Sequence, residues 1–508
     1  MGNRAAHLFH QAAQRQDAVA VIFEGAATPF GELACRVRKA AGALAQLGIS
    51  QGSHVGIWLA STPNFIVVQQ ALFQLGAVVT PINIQYRPQE VGHAVDCCRL
   101  DWIVTTRDLA CALDQSLPIR IAAIDAPADT ASARSLPAAM AQSVPLDSLA
   151  PVTAEDTVML LLTSATTGKA KGVMLTSGNL AANYDRTPGW LGLDGNSVIL
   201  CALPLYNTFG LNQGINAMLV AGCTMVLHSR FDTENCIAAI REHGCTFLPA
   251  VPTMLQKIID HPAATRDALR SLRATMTGGA PVPSALLRRL LDLAPDLEVL
   301  TGYGLTEATA LVTLTSVHLG VDGKVERDRT IGRVLDGMDL AIVSEDGTQL
   351  PVGEAGEIMV RGPNLMAGYL CAAEETAAIL TDGWLRTGDI GYLDAEGYAY
   401  IVDRKKDVII RGGQNIYPAD IEEVLYHIPG VCEAAVVARA DALLGEVPVA
   451  YVAMKSGSLA DADAMLQYCR ASLASYKCPA AIEFLPELPK GPTGKILRRA
   501  LRGALLAQ

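Results

Sequence analysis

Apolar residues recur along this chain in two alternating rhythms. LACRVRKAAGALAQLGI, residues 33–49, places them three and four apart, the spacing of one helix face, and breaks at Gly48. SHVGIWLA, residues 53–60, reads as a strand, and FIVVQQALFQLGAVVTPIN, residues 65–83, as a helix followed by a strand. Helices alternating with short β runs predict an α/β fold. The rhythm weakens from Ile124 to Ala154, where Ala, Pro, Ser and Asp accumulate and a surface connection is expected. It resumes at Val158 and runs to about Thr315. From Thr330 to Tyr400 the pattern changes: MDLAIVS and GEIMVRG are short β runs between close turns, predicting a small barrel or distorted sheet. The end of the chain reads as a separate α+β unit. Pro418 and Pro429-Gly430 bracket a helix with Ile421, Val424, Leu425 and Ile428 on one face, and AAVVARA and VPVAYVAM follow as strands.

Composition adds bounds. A chain of 508 residues, half of them hydrophobic, predicts more than one domain and a large core. No apolar run reaches the ~18 residues of a membrane span. The start, MGNRAAHLFH, has no apolar signal core, so a cytoplasmic protein is expected. The twelve cysteines lack C-x-x-C spacing and read as reduced core residues. His93, Cys97 and Cys98 could share a helix face and bind metal, but with no second ligand pair they read as a partly buried helix. A net charge of −11 argues against non-specific nucleic-acid binding. Residues 404–508 carry 13 Lys+Arg against 11 Asp+Glu, so the tail is the more basic part.

Four segments, with a glycine turn near the second, carry candidate chemistry. VMLLLTSATTGKAKGVML, residues 158–175, sets hydroxyls, glycines and lysines between two apolar runs, the make-up of a phosphate-gripping loop. It is not a G-x-x-x-x-G-K-[ST] loop, because Thr163 replaces the first glycine and Ala170 follows Lys169. In LTGYGLTEAT, residues 300–309, Gly302 and Gly304 flank Tyr303 and leave a flat ring for stacking on a purine. Thr306 adds a hydroxyl, and Glu307 a carboxylate suited to Mg2+. TGGAPVP, residues 277–283, is a glycine turn that can bring backbone to a flat ligand. Asp389, after Gly388, suits the two hydroxyls of a ribose, and 403–407 form a charge cluster before the C-terminal unit. PKGPTGKILRR, residues 489–499, is a basic glycine-rich loop holding Lys495.

In this order the segments resemble the adenylate-forming superfamily of acyl-CoA synthetases, peptide-synthetase adenylation domains and beetle luciferases, over essentially the whole chain. RKKDVIIRGGQNIYPADIEE looks most like the acyl- and aryl-CoA ligases. The resemblance implies a large N-terminal domain, 1–403, of α/β sheets with a β-rich barrel-like part at 330–400, and a mobile α+β cap, 404–508. It implies that Thr163, Ser164, Thr166, Thr167, Gly168 and Lys171 hold the ATP phosphates. Gly279, Ala280, Tyr303 and Gly304 would enclose adenine, and Asp389 and Arg404 would bind ribose. Thr306 would touch the α-phosphate, Glu307 would hold Mg2+, and Lys495 would bridge the substrate carboxylate and the α-phosphate. Lys406 falls at the family's hinge, and Arg411, Gly412 and Gly413 match its coenzyme A tunnel. The implied cofactors are ATP, Mg2+ and coenzyme A. The implied partners are a small carboxylic acid, with a carrier protein as alternative thiol donor and a second copy of the chain as candidate subunit.

Two positions depart from the family pattern. Ala165 stands where the family has glycine, and Asn207, in CALPLYNTFGL, where many relatives have histidine. The implied acyl pocket draws on Asn207, Phe209, Ala250, Gly278 and Gly302. The stretch 201–216 is uncharged, whereas a second substrate carboxylate would want a buried cation beside it. An apolar monocarboxylic acid is therefore the expected substrate.

Overall fold

The computed structural model describes residues 2–114, 116–163, 170–279, 282–320, 322–412, 414–441, 443–455, 457–458, 461–490 and 496–505. The first predicted helix forms as Phe30–Gln46 and buries Leu33, Val37, Ala40, Ala41 and Leu44. It stops where Gly48 takes φ +98°, a conformation glycine adopts without a side-chain clash. The helix Pro63–Gln74 is buried on every side from Phe65 onward, as an apolar-all-round helix must be.

Two large sheets share these helices as filling. One runs, in spatial order, through Val325–Glu326, Leu311–Leu319, Glu298–Gly304, Ala274–Gly278, Phe247–Ala250, Val198–Cys201, Thr224–Leu227, Val19–Phe23 and Ala26–Pro29. Its interior pairings are parallel and its margins antiparallel. The other runs through Gly368–Tyr369, Lys171–Thr176, Thr157–Thr163, Val78–Pro81, His54–Ile57, Trp102–Thr105, Arg120–Ala123 and Arg134–Ser135. One continuous apolar core, from Leu8 and Phe30 through Phe65 and Leu72 to Phe247 and Leu287, joins them. Parallel sheets need both faces covered, and the long helices supply that cover.

The region after Thr330 forms a curled antiparallel sheet of Asp339–Val343, Gly356–Arg361, Trp384–Leu393, Leu380–Thr381 and Ala399–Arg404. The C-terminal domain is built on the hairpin Val431–Asp441 and Gly445–Met454, flanked by Ile409–Arg411, Gln414–Ile416 and the parallel strand Ala481–Phe484. Its first helix, Pro418–Tyr426, buries Ile421 and Leu425 fully and packs Val424 against the same core, and Ile428 joins that core from just past the helix end. This is the α/β architecture with a large N-terminal and a smaller C-terminal domain. Among the described residues no helix is long and apolar enough to cross a membrane.

Two expectations need correction. The stretch from Ile124 to Ala154 is not all surface connection. It contributes the edge strand Arg134–Ser135 and the helix Leu136–Gln142, started by Ser135, whose hydroxyl accepts from Ala138 N at 3.0 Å. The weak periodicity hid a seven-residue helix that buries one side chain, Leu136. Its continuation is held by Gln74, whose amide donates to the carbonyls of Leu146 and Ser148 at 2.6 and 3.1 Å. Nor are the cysteines uniformly core: all twelve are free, but Cys35, Cys111, Cys371 and Cys432 are exposed.

The N-terminus is fastened by a buried ion pair. Arg4, 4% exposed, donates to both oxygens of Asp185, and His7 Nε2 lies 3.1 Å from Asp185 Oδ2. Burial alone would raise the Asp185 pKa, but the hydrogen bonds from His7 and Arg4 outweigh it and hold it at about 2. A depressed carboxylate contributes stability above its unfolded pKa and loses it as pH falls through the folded one. Asp185→Asn is therefore expected to cost about 2–3 kcal/mol at pH 7, with the gap to wild type closing between pH 4 and about 2. Urea unfolding across that range measures it.

Candidate nucleotide and acyl site

The phosphate-loop segment is anchored by strand pairing. Thr163 ends the strand Thr157–Thr163 and pairs with Lys171, the first residue of the antiparallel strand Lys171–Thr176. The expected contacts of Ser164, Thr166, Thr167 and Gly168, and the effect of Ala165, lie outside the described residues, as do those of Ala280, Gly413 and Lys495. Behind the loop, His93 Nε2 and Cys97 Sγ both reach the Ala170 carbonyl, at 3.3 and 3.2 Å. The helix carrying them, Pro88–Cys98, thus packs against the loop's exit.

The strands Phe247–Ala250, Ala274–Gly278 and Glu298–Gly304 end side by side, with Ala250 beside Thr277 and Gly278 beside Gly302. Ligands of open α/β sheets collect at such carboxyl ends. The glycines here answer first to the sheet. A Cβ on Gly302 would meet Thr313 O at 2.5 Å, and one on Gly304 would meet Ala310 O at 1.9 Å. Tyr303 is also less open than a flanking pair of glycines suggests, at 9% exposure. Gly279, next in the chain, is exposed at φ +78°.

Tyr303 leads directly to the expected ribose carboxylate. Its hydroxyl donates to Asp389 Oδ2 at 2.5 Å, and Arg404 Nε lies 3.3 Å from Asp389 Oδ1. Strand register sets the second contact, since Asp389 on Trp384–Leu393 stands opposite Arg404 on Ala399–Arg404. Burial and the Asp389 charge raise the Tyr303 pKa well above its ordinary value, so the phenol stays a donor. Asp389 itself is 5% exposed, while Arg404 is exposed.

Thr306 and Glu307 sit on the short turn Thr306–Ala308, which sequence patterning does not reveal as a locked unit. Thr309 follows at φ +68° and ψ −43°, and Ala310 N donates back to Ala308 O at 2.8 Å, a γ-turn about a β-branched residue. Such backbone persists only where its surroundings impose it. Here Thr309 Oγ1 donates to Asn364 O at 2.5 Å, Asn364 Nδ2 donates to Ala308 O at 2.9 Å, and Met366 N donates to Glu307 O at 2.9 Å. Both Thr309 and Asn364 are fully buried. The Glu307 carboxylate accepts from Tyr369 OH through Oε1 at 2.8 Å, and its Oε2 makes no hydrogen bond with a described residue. No local sequence pattern points to Thr309, Asn364 or Tyr369 as part of this arrangement.

At the expected acyl end, Asn207 caps the helix Thr208–Gly210, its Oδ1 accepting from Gly210 N at 3.0 Å. Its departure from histidine thus has a local use, and its carbonyl oxygen is committed to the backbone. Phe209 is half-buried against the main core. Lys406 lies on an exposed turn between Ala399–Arg404 and Ile409–Arg411. Arg411 donates to Tyr476 O at 2.7 Å, and Gly412 takes φ +57° with its N–H on Leu444 O.

Parallel strand ends beside a buried tyrosine–aspartate pair, an exposed arginine on the same aspartate and a carboxylate oxygen without a described partner fit a nucleotide-activating enzyme. Residues 8–370 match the AMP-binding enzyme family and residues 420–495 the AMP-binding enzyme C-terminal domain, and the chain belongs to that family. It is 36% identical to a feruloyl-CoA synthase of Amycolatopsis over 489 residues, 96% of this chain and 95% of the relative. It is 35% identical to the 3-[(3aS,4S,7aS)-7a-methyl-1,5-dioxo-octahydro-1H-inden-4-yl]propanoyl:CoA ligase of Mycobacterium tuberculosis over 507 residues, 96% of each chain. The O-succinylbenzoate coenzyme A synthetase of Bacillus subtilis, solved with ATP and magnesium ion, superposes with TM-score 0.86 at 30% identity, covering 99% of each chain. The chain is an AMP-forming acid–thiol ligase, working with ATP, Mg2+ and coenzyme A.

Removing Asp389 leaves the sealed Tyr303 hydroxyl without its acceptor. Asp389→Ala is expected to lower stability by about 1–3 kcal/mol, and Tyr303→Phe in the same chain to recover part of that. Chemical denaturation of the single and double variants checks it.

Proposed function

We propose that this ligase activates an apolar monocarboxylic acid as its acyl adenylate and passes the acyl group to coenzyme A. The observation that carries the choice of acid is electrostatic. Residues 201–216 and the strand ends at Ala250, Gly278 and Gly302 contain no charged side chain. A dicarboxylate would leave its second charge unpaired there. The named substrates of the two relatives above, an aryl acid and a fused-ring propanoate, are in keeping with a bulky apolar acyl body.

The reacting carboxylate, with a pKa near ~4.3, is ionised at neutral pH, so adenylation needs no general base. It needs compensation of charge as one anion attacks another. Lys171 and Thr163, at the two ends of the phosphate loop, face the β- and γ-phosphates, Thr306 the α-phosphate, and Asp389 with Arg404 the ribose. Tyr303 and Gly279 border adenine. The donor set suits Mg2+, which keeps several waters and takes one or two carboxylates plus phosphate oxygens. Glu307 offers one free oxygen for this, its other being held by Tyr369. When bound, Mg2+ neutralises charge on the phosphates. Lys495 neutralises the α-phosphate and orients the acid.

Transfer requires a thiol. A thiol of pKa about 8.5 is a few per cent ionised at pH 7 and strongly nucleophilic, so a dry approach to the adenylate suffices. We place domain 404–508 as a cap that turns about Lys406 between the steps, withdrawing Lys495 and presenting Arg411 and Gly412. A carrier-protein phosphopantetheine arm is the alternative acceptor. The 334–369 region favours coenzyme A, having no insertion of the kind found in fatty-acyl-AMP ligases.

AMP release scored over a panel of acids should be at least tenfold faster with aryl or alicyclic monocarboxylates than with malonate or succinate. Preference for a dicarboxylate overturns the reading. Lys495→Ala is expected to abolish adenylation and spare thioester formation from pre-made acyl adenylate. Equal loss of both half-reactions removes the two-state cap.

A further inference from the structure

Glu307, on a turn at the end of one sheet, and Lys171, on a strand of the other, both touch one side chain. Tyr369 lies on the strand Gly368–Tyr369, whose residues pair with Met174 and Val173. Its hydroxyl donates to Glu307 Oε1 at 2.8 Å, and Nζ of Lys171 stands over its ring, 4.7 Å from the centroid. An aromatic face attracts a cation, and a phenol is a strong donor to a carboxylate. The two contacts use different parts of the ring, so neither excludes the other.

The ring is itself held. Tyr369 is 8% exposed, and its backbone N–H donates to Thr376 Oγ1 at 2.9 Å. Thr376 Oγ1 donates in turn to Ala372 O at 2.8 Å within the same segment. Three residues earlier, Met366 N fixes the Glu307 carbonyl. The segment thus grips Glu307 at its backbone and at its carboxylate. It holds Lys171 at the mouth of the phosphate loop, opposite Thr163.

We propose that Tyr369 is a positioning residue that sets the phosphate-loop lysine and the metal-binding carboxylate at a fixed spacing. The hydroxyl turns the free oxygen of Glu307 outward for Mg2+, and the ring face holds the Lys171 ammonium toward the triphosphate. This rests on the reading of Glu307 as the Mg2+ carboxylate.

Equilibrium binding of α,β-methylene-ATP to the full chain, by titration calorimetry in EDTA and across a MgCl2 series, separates the two contacts. Tyr369→Phe keeps the ring and loses the donor. It should bind metal-free nucleotide within twofold of wild type, yet need roughly tenfold more Mg2+ for the same enhancement. Tyr369→Leu loses both contacts and should also bind metal-free nucleotide several-fold more weakly. Glu307→Gln should abolish the Mg2+ response. If Glu307→Gln loses that response while Tyr369→Phe follows the wild-type curve, the proposal for Tyr369 fails alone. If Glu307→Gln keeps it, the metal reading fails. Equal metal-free affinities for the Phe and Leu variants, with melting temperatures matching wild type, overturn the role given to the ring face.

Discussion

The two large sheets end near one another, and residues 362–370 tie those ends together by hydrogen bonds to both. On one side, Ala367 N and Leu370 N donate to Met174 O and Gly172 O, extending the sheet that carries the phosphate loop. On the other, Asn364 and Met366 hold the carbonyls of Ala308 and Glu307 at the end of the neighbouring sheet's strand. Without this strap the γ-turn at Thr309 would have nothing to impose it, because a β-branched residue gains nothing locally from positive φ. Among the described residues, the spacing between the strand that begins at Lys171 and the acidic turn is therefore set by packed, buried backbone.

That rigidity suits a reaction whose barrier is mainly electrostatic. Charges that are already in place need no reorganisation when the phosphorus is attacked. The proposed nucleoside end follows the same logic. Tyr303, Asp389 and Arg404 come from two different sheets, but the aspartate and arginine are register partners and the tyrosine hydroxyl closes on the same carboxylate. All three side chains stand on strands, and for the aspartate and arginine strand pairing also fixes their spacing.

Much of this was legible from residue order. The long helices, the run of parallel strands and the C-terminal helix all announced themselves through spacing, because each buries a continuous face. Tyr303, Glu307 and Asp389 were legible because glycine and polar residues interrupt apolar strands there. Tyr369, Asn364 and Thr309 were not. Their contacts join residues 62 and 55 positions apart, and no local pattern encodes a partner at that range. Thr309 hid further because positive φ is sought at glycine. Asn207 was visible as a departure, but its capping role depends on the turn that follows it. The helix Leu136–Gln142 escaped notice because a short helix burying one leucine leaves almost no periodicity.

The basic tail helix has a consequence of its own. Arg498 and Arg502 spend their charge on Asp407 and Glu422, partners that lie beyond Lys406 in the chain. Among the described residues, the polar ties from beyond Lys406 back to residues before 404 are Ala419 N and Arg498 to Asp403, and Glu423 to Arg329. Two of these converge on one acid, whose burial pushes its pKa up to about 6 despite the nearby guanidinium. Among the described residues the two domains are thus tied by few polar contacts, two of them on Asp403, and the buried setting of that acid favours its protonated form as pH falls toward 6.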